Sequence, residues 1–366
     1  MRAETMPTER PVLIMAGGTG GHVFPALAAA ECLRERGVPV TWLGARAGLE
    51  ATLVPKAGIP MEWIEVAGLR GKSWRRRLWT PFMLTRALWQ ARLILRRLQP
   101  RVILGMGGFV SGPGGVMARL LGIPLVVHEQ NAIAGLTNRL LARIASRTLQ
   151  AFPNTFLPQR RAVTVGNPVR RIIAELPPPA ERFARREGPA RLLILGGSQG
   201  ALALNQRAPQ ALALLDAAER PEVWHQAGGQ LQDAAARAYQ QAGIAVRLTP
   251  FIDNMAEAYG WADVVLCRAG ALTIAELAAA GIGAVLVPFP FAVDDHQTAN
   301  ARFLEQGGAA LLIQQTDLSA ERLAALLREL LPDRARLLQM AEAARRLAKV
   351  DAAEQVARVC LEQARC

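Results

Sequence analysis

Apolar runs that stop at glycine and open onto alanine-rich helical stretches constrain this chain more than anything else in it. "PVLIMA" (11–16) runs into "GGTGGHVFPALAAA", and "ARLLIL" (190–195) runs into "GGSQGALALNQ". "VPVTWLG" (38–44), "PRVILGMG" (100–107), "IPLVVHEQ" (123–130), "AVRLTPFI", "ADVVLCRAG" and "GAVLVPFP" also read as buried strands, with helices such as Pro25–Arg36 and Pro81–Leu98 among them. Strands that are apolar throughout are covered on both faces, and their alternation with helices specifies a doubly wound parallel sheet. The pattern pauses at "VGNPVRR" and the Pro-rich "ELPPPAE", then restarts. A length of 366 residues exceeds what one core usually organises. The expectation is an α/β chain of two Rossmann-like domains facing a central cleft, with ligands beyond the carboxyl ends of the strands.

Hydrophobic residues at 51% and charged residues at 20% suit a folded chain rather than a disordered one. The net charge of +13 points to an anionic partner: nucleic acid, an acidic membrane surface or a phosphorylated substrate. With two Tyr and ten Phe, and no strand that interleaves aromatic and basic residues, nucleic acid is not expected. Cys32, Cys267, Cys360 and Cys366 form no CxxC pair, which speaks against a zinc site or a disulfide framework and for a reducing cytosol. The polar start "MRAETMPTERP" lacks the apolar run of a signal peptide, and no apolar segment is long enough to span a bilayer. The protein is expected to be soluble or to lie on a membrane.

Three glycine-rich turns follow strands: "GGTGGH" (17–22), "GMGGFVSGPGG" (105–115) and "GGSQGA" (196–201). Each would present backbone N–H groups at a helix N-terminus, where the helix dipole also favours an anion. One such turn shows only that glycine is needed there; three favour a phosphate-binding cleft. No GxxxxGK[ST] occurs, and GxGxxG spacing is not met at residues 17–23. The second strand ends "TWLGAR", with no acid to hold an adenosine ribose. A P-loop ATPase and a nicotinamide or flavin site are therefore disfavoured.

His22 follows the first glycines and is either a general base near neutral pH or a packing residue. "VVHEQNAIAGLTNR" puts His128, Glu129, Gln130 and Asn131 at a strand end, costly unless they are paired or line a cleft. Thr273 and Glu276 have capping-box spacing, and Glu276 is equally placed to accept from a ribose diol. Arg268 would face a phosphate or solvent. Adjacent Asp294 and Asp295 match a metal-binding DxD only loosely, so no metal site is expected. His296 and Gln297 could serve a sugar. In "GKSWRRRLWTPFMLTRALWQARLILRRL" (71–98), Thr80 and Pro81 read as N-cap and first helical residue, and Leu84, Leu88, Ala91 and Leu95 as a core stripe. Phe82 and Trp89 share a second stripe with Arg86 and Arg97, while Trp74, Leu78 and Trp79 sit among Arg75, Arg76 and Arg77. Such a mixture describes a surface that rests on an anionic bilayer, the alternatives being a solvated charged loop with core aromatics and a basic nucleic-acid face.

Taken in order from about residue 11 to 315, these segments resemble the MurG family of bacterial peptidoglycan N-acetylglucosaminyltransferases, with "GLRGK", "GNPVR", "LNQ", "FIDNMAEAYGWADVVLCRAGALTIAE" and "HQTANA" completing the series. The resemblance implies a GT-B glycosyltransferase fold. Residues 1–167 would bind acceptor and membrane, 168–346 would bind UDP-N-acetylglucosamine (UDP-GlcNAc), and 347–366 would return as a helix to the first domain. The implied reaction is inverting β-1,4 transfer of N-acetylglucosamine to the C4 hydroxyl of lipid I, undecaprenyl-diphospho-N-acetylmuramoyl-pentapeptide, giving lipid II. The implied place is the cytoplasmic face of the bacterial inner membrane, with an anionic membrane surface and cell-wall synthesis proteins as further partners. No cofactor is implied as required, and Mg²⁺ assistance is left open.

The same resemblance implies roles for single residues. Ile252 would meet uracil through its backbone, beside Arg268, and Glu276 would hold the ribose. Ser198, Leu272 and Thr273 would contact the diphosphate, and Asn205, His296 and Gln297 the sugar. Arg170 would lie on the donor side. Thr19, Gly20 and Asn131 lie on the acceptor side yet count among the sugar-nucleotide contacts. Gly18, Gly21, Gly107, Gly108, Phe109 and His128 complete the acceptor side, Phe109 standing where the family often has Tyr. His22 is the expected general base and Glu129 its competitor.

Overall fold

The structure is a computed structural model that describes residues 10–66, 80–197 and 200–365. Trp74, Arg75, Arg76, Arg77, Leu78, Trp79 and Ser198 lie outside the described residues. The chain divides into two compact units, one reaching Arg170 and resuming at Val350, the other running from Arg171 to Lys349.

The first unit contains strands β1 (Val12–Ala16), β2 (Val40–Gly44), β3 (Met61–Trp63), β4 (Val102–Gly107), β5 (Leu125–Glu129), β6 (Arg147–Gln150) and β7 (Val163–Thr164). They pair in the order β3-β2-β1-β4-β5-β6-β7, every pair parallel. Helices α1 (Gly20–Glu35), α2 (Glu50–Lys56), α3 (Thr80–Leu98), α4 (Ser111–Leu120) and α5 (Leu136–Leu141) connect them. The period of two along β1 sends Val12 and Ile14 to one face and Leu13 and Met15 to the other. The first pair packs with Val23, Ala26 and Leu33 of α1, the second with Ile94 and Leu95 of α3 and Ala118 of α4. Each fully buried aliphatic side chain of this kind contributes roughly 1.5–3 kcal/mol.

The second unit holds α6 (Arg171–Ala174), α7 (Pro179–Ala184), β8 (Arg191–Leu195), α8 (Leu202–Ala213), β9 (Glu222–Gln226), α9 (Gln232–Ala242), β10 (Arg247–Thr249) and α10 (Met255–Trp261). It continues through β11 (Val264–Cys267), α11 (Ala271–Ala280), β12 (Gly283–Leu286), α12 (His296–Gln306), β13 (Ala310–Leu312), α13 (Ala320–Leu330) and α14 (Arg334–Leu347). The sheet order is β10-β9-β8-β11-β12-β13, again wholly parallel. A last helix, α15 (Ala352–Gln363), belongs to the first unit, where Val356, Ala357 and Cys360 join the core beside α1.

Strand order reverses between β1 and β4 in the first sheet and between β8 and β11 in the second. Such switch points leave a crevice at the carboxyl ends of the strands. The three glycine turns leave from β1, β4 and β8, and the Arg268–Gly270 turn leaves from β11.

Three expectations need correction. The unit boundaries fall at 170/171 and 349/350 rather than at 167/168 and 346/347. Val169 is buried and Arg170 lies over the Phe24 ring, 5.7 Å from its centroid, which keeps both with the first unit. Helix α1 begins at Gly20, with Pro25 inside it, because extended Thr19 ends the turn and the glycines are already helical. Leu84 is 50% exposed; the buried stripe of α3 is Ala87, Ala91, Ile94 and Leu95.

Two arginines cover the C-terminal end of α11. Arg182 donates from Nη1 to Tyr259 O (3.2 Å) and from Nη2 to Ala280 O (2.7 Å) and Gly281 O (2.5 Å). Arg345 donates to Ala279 O, and to Ala174 O at 2.9 Å. Cations here satisfy the last carbonyls and oppose the negative end of the helix dipole. Arg182→Ala is expected to lower unfolding free energy by about 2–3 kcal/mol, since buried carbonyls lose their donors. A urea titration checks this, and an unchanged midpoint would contradict it.

Candidate functional site

In the first unit the site begins with a buried acid that sequence reasoning missed. Glu50, fully buried, accepts from Gly18 N–H at Oε2 (2.9 Å) and from Ala45 N–H at Oε1 (3.1 Å). It thereby braces the first glycine turn, and a Cβ at Gly17 would come within 2.5 Å of its Oε1. The second turn packs directly on the first: Gly108 has φ +84°, and a Cβ there would overlap the Gly17 carbonyl. Only glycine fits both the conformation and the approach.

His22 stands on the first turn of α1, half-buried. A Cβ on Gly107 would fall 2.9 Å from its ring, so the imidazole lies over that glycine. Its Nδ1 is 3.4 Å from Thr19 Oγ1. Ser111 Oγ, 2.8 Å from Gly107 O, ties the second turn to α4. Thr19, His22, Gly107 and Gly108 are thus brought together. Gly18 belongs to the same turn, Gly20 and Gly21 open α1, and Phe109 is 53% exposed just beyond.

The polar group at the end of β5 proves to be bracing. His128 is wholly buried: Nε2 donates to Gly166 O (2.9 Å) and Nδ1 accepts from Gln130 Nε2 (3.1 Å). Burial pushes its pKa down to about 4. This corrects the expectation that it faces an acceptor. Glu129 is 1% exposed, its Oε1 accepting from Asn131 N (2.9 Å) and Nδ2 (3.2 Å). Its Oε2 accepts from Gly135 N (3.1 Å) and Asn138 Nδ2 (2.9 Å). Four donors fill the acceptor sites of one carboxylate, so Glu129 is corrected from competing base to the clasp that holds Asn131. Asn167 Nδ2 donates to Gln130 O (2.9 Å), locking "GNPV" onto the same strand end.

In the second unit, the third glycine turn rests on residues 226–227. Gly196 N–H donates to Gln226 O (2.9 Å), and a Cβ on Gly200 would overlap Ala227 O. Asn205 is 2% exposed; its Nδ2 donates to Ala227 O (2.9 Å) and its Oδ1 accepts from His225 Nε2 (3.1 Å). Its amide is used inside the protein, which corrects the expectation that it contacts a sugar.

Helix α11 starts at Ala271, with Gly270 as N-cap, so Leu272 and Thr273 lie in the first turn. Thr273 is inside the helix, which removes the capping-box reading of Thr273 and Glu276. Glu276 is 5% exposed and accepts from the Tyr259 hydroxyl at 3.1 Å. Arg268, half-buried, donates from Nη1 to Val287 O (3.1 Å) and Pro288 O (3.2 Å) and from Nη2 to Gln315 Oε1 (2.5 Å), and lies over the Phe289 ring. Asn300, also missed, donates to Ala269 O at 3.2 Å. Ile252 is buried in the loop after β10. His296 and Gln297 open α12, and Gln297 Oε1 accepts from Phe289 N–H (2.9 Å). Before them, Asp294 and Asp295 both hold left-handed φ, +53° and +50°, strain of the kind stored at functional loops. Among the described residues, no group of three or more His, Cys, Asp or Glu could hold a metal ion.

The two buried histidines make stability depend on pH. His128 titrates near 4 and His225 near 3 in the folded protein, both lowered by burial from 6.5. Their neutral forms stabilise the fold fully above pH 6.5, and that contribution is lost as pH falls, because the unfolded chain takes up protons first. Stability is expected to drop by up to about 1.4 kcal/mol per pH unit per histidine between pH 6 and 4. Urea midpoints that stay flat over this range would contradict the buried neutral assignment.

Residues 12–150 match the glycosyltransferase family 28 N-terminal domain, and residues 191–356 match the glycosyltransferase family 28 C-terminal domain. The UDP-N-acetylglucosamine--N-acetylmuramyl-(pentapeptide) pyrophosphoryl-undecaprenol N-acetylglucosamine transferase of Alkalilimnicola ehrlichii is 60% identical over 355 residues, 97% of this chain and 99% of that relative. The protein of the same name from Nitrosococcus oceani is 59% identical over 353 residues, 96% of this chain and 98% of its own. The crystal structure of Acinetobacter baumannii MurG superposes with a TM-score of 0.84 at 41% identity, covering 97% of this chain and 100% of that one. With both sheets in Rossmann order and these relatives spanning nearly its whole length, the chain belongs to the MurG family of glycosyltransferase family 28 and has the GT-B fold.

Proposed function

We propose that this chain is the inverting glycosyltransferase that moves N-acetylglucosamine from UDP-GlcNAc to the C4 hydroxyl of lipid I, giving lipid II. The observation that carries the reading is 60% identity over 97% of the chain to a relative bearing the name of that activity. The geometry supports it. Inversion takes one in-line displacement: the C4 oxygen attacks the anomeric carbon, its proton goes to a base, and UDP departs.

His22 is the base, since Glu129 is saturated by N–H donors. The imidazole lies over Gly107, where the first and second glycine turns pack together. In the second unit, N–H groups of the third glycine turn and of the first turn of α11 meet the charge that grows on the leaving diphosphate. Such fixed dipoles need no reorganisation during the reaction. Glu276, oriented by Tyr259, holds the ribose hydroxyls. No step is assigned to a metal ion. The donor half of this reading is tested by thermal unfolding: saturating UDP-GlcNAc and UDP should each raise the Tm. Failure of both would contradict it.

The acceptor carries a polyisoprenoid chain, so the enzyme must work at a membrane. No described helix is long and apolar enough to cross one. On α3, Phe82 and Trp89 are each 60% exposed and Leu93 47%, beside exposed Arg92 and Arg96. Arg86 and Arg97 of the same helix pair with Glu65 (2.7 Å) and Glu62 (2.5 Å). We read this face as the patch that docks on the anionic inner leaflet of the bacterial inner membrane; the sequence 71–79 that precedes it has the same mixture of aromatic and basic residues. Phe82→Ser with Trp89→Ser should weaken binding to anionic vesicles at least about tenfold, each ring losing an apolar burial of 1.5 kcal/mol or more. Unchanged partitioning would discard the patch.

A further inference from the structure

The second unit carries a buried hydrogen-bond chain that no step above uses. Tyr239 on α9, His225 on β9 and Asn205 on α8 are exposed by 2%, 0% and 2%. Asn205 Nδ2 donates to the Ala227 carbonyl, so its Oδ1 is the atom facing His225 Nε2. An amide oxygen only accepts, so Nε2 carries the imidazole proton. His225 Nδ1 is then an acceptor, and the Tyr239 hydroxyl 2.9 Å away donates to it. Each link points the same way: Tyr239 to His225, His225 to Asn205, Asn205 to Ala227 O. Burial pushes His225 down to about 3 and Tyr239 upward, so neither changes charge near neutral pH.

The chain ends beneath the third glycine turn. Ala227 O occupies the space that a Cβ on Gly200 would need, Gln226 O accepts from Gly196 N–H, and Ala227 N–H is held by Thr249 O (3.0 Å). The floors of the first and third turns therefore differ in kind. The first rests on the carboxyl group of Glu50, an anion's poor neighbour. The third rests on carbonyls oriented by a neutral relay, which adds no net charge under a bound anion.

We propose that His225 and Tyr239 are positioning residues for the donor diphosphate: through Asn205 and Ala227 they fix Gly196 and Gly200 of the third glycine turn, and with them the start of α8, whose first N–H groups receive the phosphates. The proposal rests on the reading of that turn as the diphosphate site. It also accounts for Asn205, whose amide reaches the donor only through the floor of the turn.

The test is titration calorimetry of the full-length protein with UDP and with uridine, melting curves verifying the fold. His225→Leu removes both links and should raise the Kd for UDP about tenfold while leaving the Kd for uridine unchanged. Tyr239→Phe keeps the shape, removes one donor and should give a smaller loss of the same kind. His225→Gln can donate to Asn205 and accept from Tyr239, and should restore most of the UDP affinity lost in His225→Leu. If folded variants lose UDP and uridine in parallel, or lose neither, or if Gln binds UDP no better than Leu, the relay has no positioning role. If the unaltered protein binds UDP no tighter than uridine, the diphosphate reading itself fails, and the proposal falls with it.

Discussion

His22→Ala is expected to lower turnover with UDP-GlcNAc and a lipid I analogue about 10²–10⁴-fold, the usual worth of a positioned general base. The Kd for UDP should stay within about twofold of the unaltered protein. The expectation follows from where the ring sits. It lies over Gly107 in the first unit, while the turns read as holding the nucleotide belong to the second. Glu129 offers no substitute, because four N–H groups already fill its oxygens. Steady-state kinetics with separate donor titration checks the split. Normal turnover would remove His22 as base, and equal loss of UDP binding would move it to the donor side.

Glu276→Ala is expected to weaken UDP binding about 10²-fold, from the loss of two charge-assisted hydrogen bonds to the ribose diol. The substitution also strands the Tyr259 hydroxyl, which donates to Glu276 Oε2. A purely structural carboxylate would lower stability alone. Comparison of UDP with 2′-deoxy-UDP separates the two roles. The unaltered protein should prefer UDP, and the variant should bind both equally. A variant that melts lower yet keeps that preference would contradict the ribose assignment.

Of the four strands flanking the switch points, β1, β4 and β8 were legible because their apolar runs end at glycine, and β11 because its run "VVLC" ends at Arg268; "PVLIMA" and "ARLLIL" end where β1 and β8 end. The start of α1 was not. Proline favours a first helical position, which drew the reading to Pro25, whereas extended Thr19 lets the glycines enter the helix. Glu50 was missed for another reason. One acid heading an apolar helix reads as solvated charge, and only the fold carries it to Gly18 N–H, 32 residues away.

At His128 and Asn205 the residue types marked a polar strand end or turn but gave no direction. Their partners Gly166 and His225 lie 38 and 20 residues distant. Thr273 and Glu276 illustrate a further limit: spacing suggests a capping box, but only the backbone shows that the cap is Gly270. On α3, Phe82 and Trp89 are exposed as expected, whereas Leu84, expected in the core stripe, is exposed as well, because small Ala87 and Ala91 shift the packed stripe.

The most direct test of the central claim is release of UDP from UDP-GlcNAc by the purified protein in the presence and absence of a lipid I analogue. The account predicts that UDP appears only with the acceptor, in equal amount to a new N-acetylglucosaminyl-β-1,4-muramoyl product. Release of UDP at the same rate without the acceptor, or no release with it, would contradict the account.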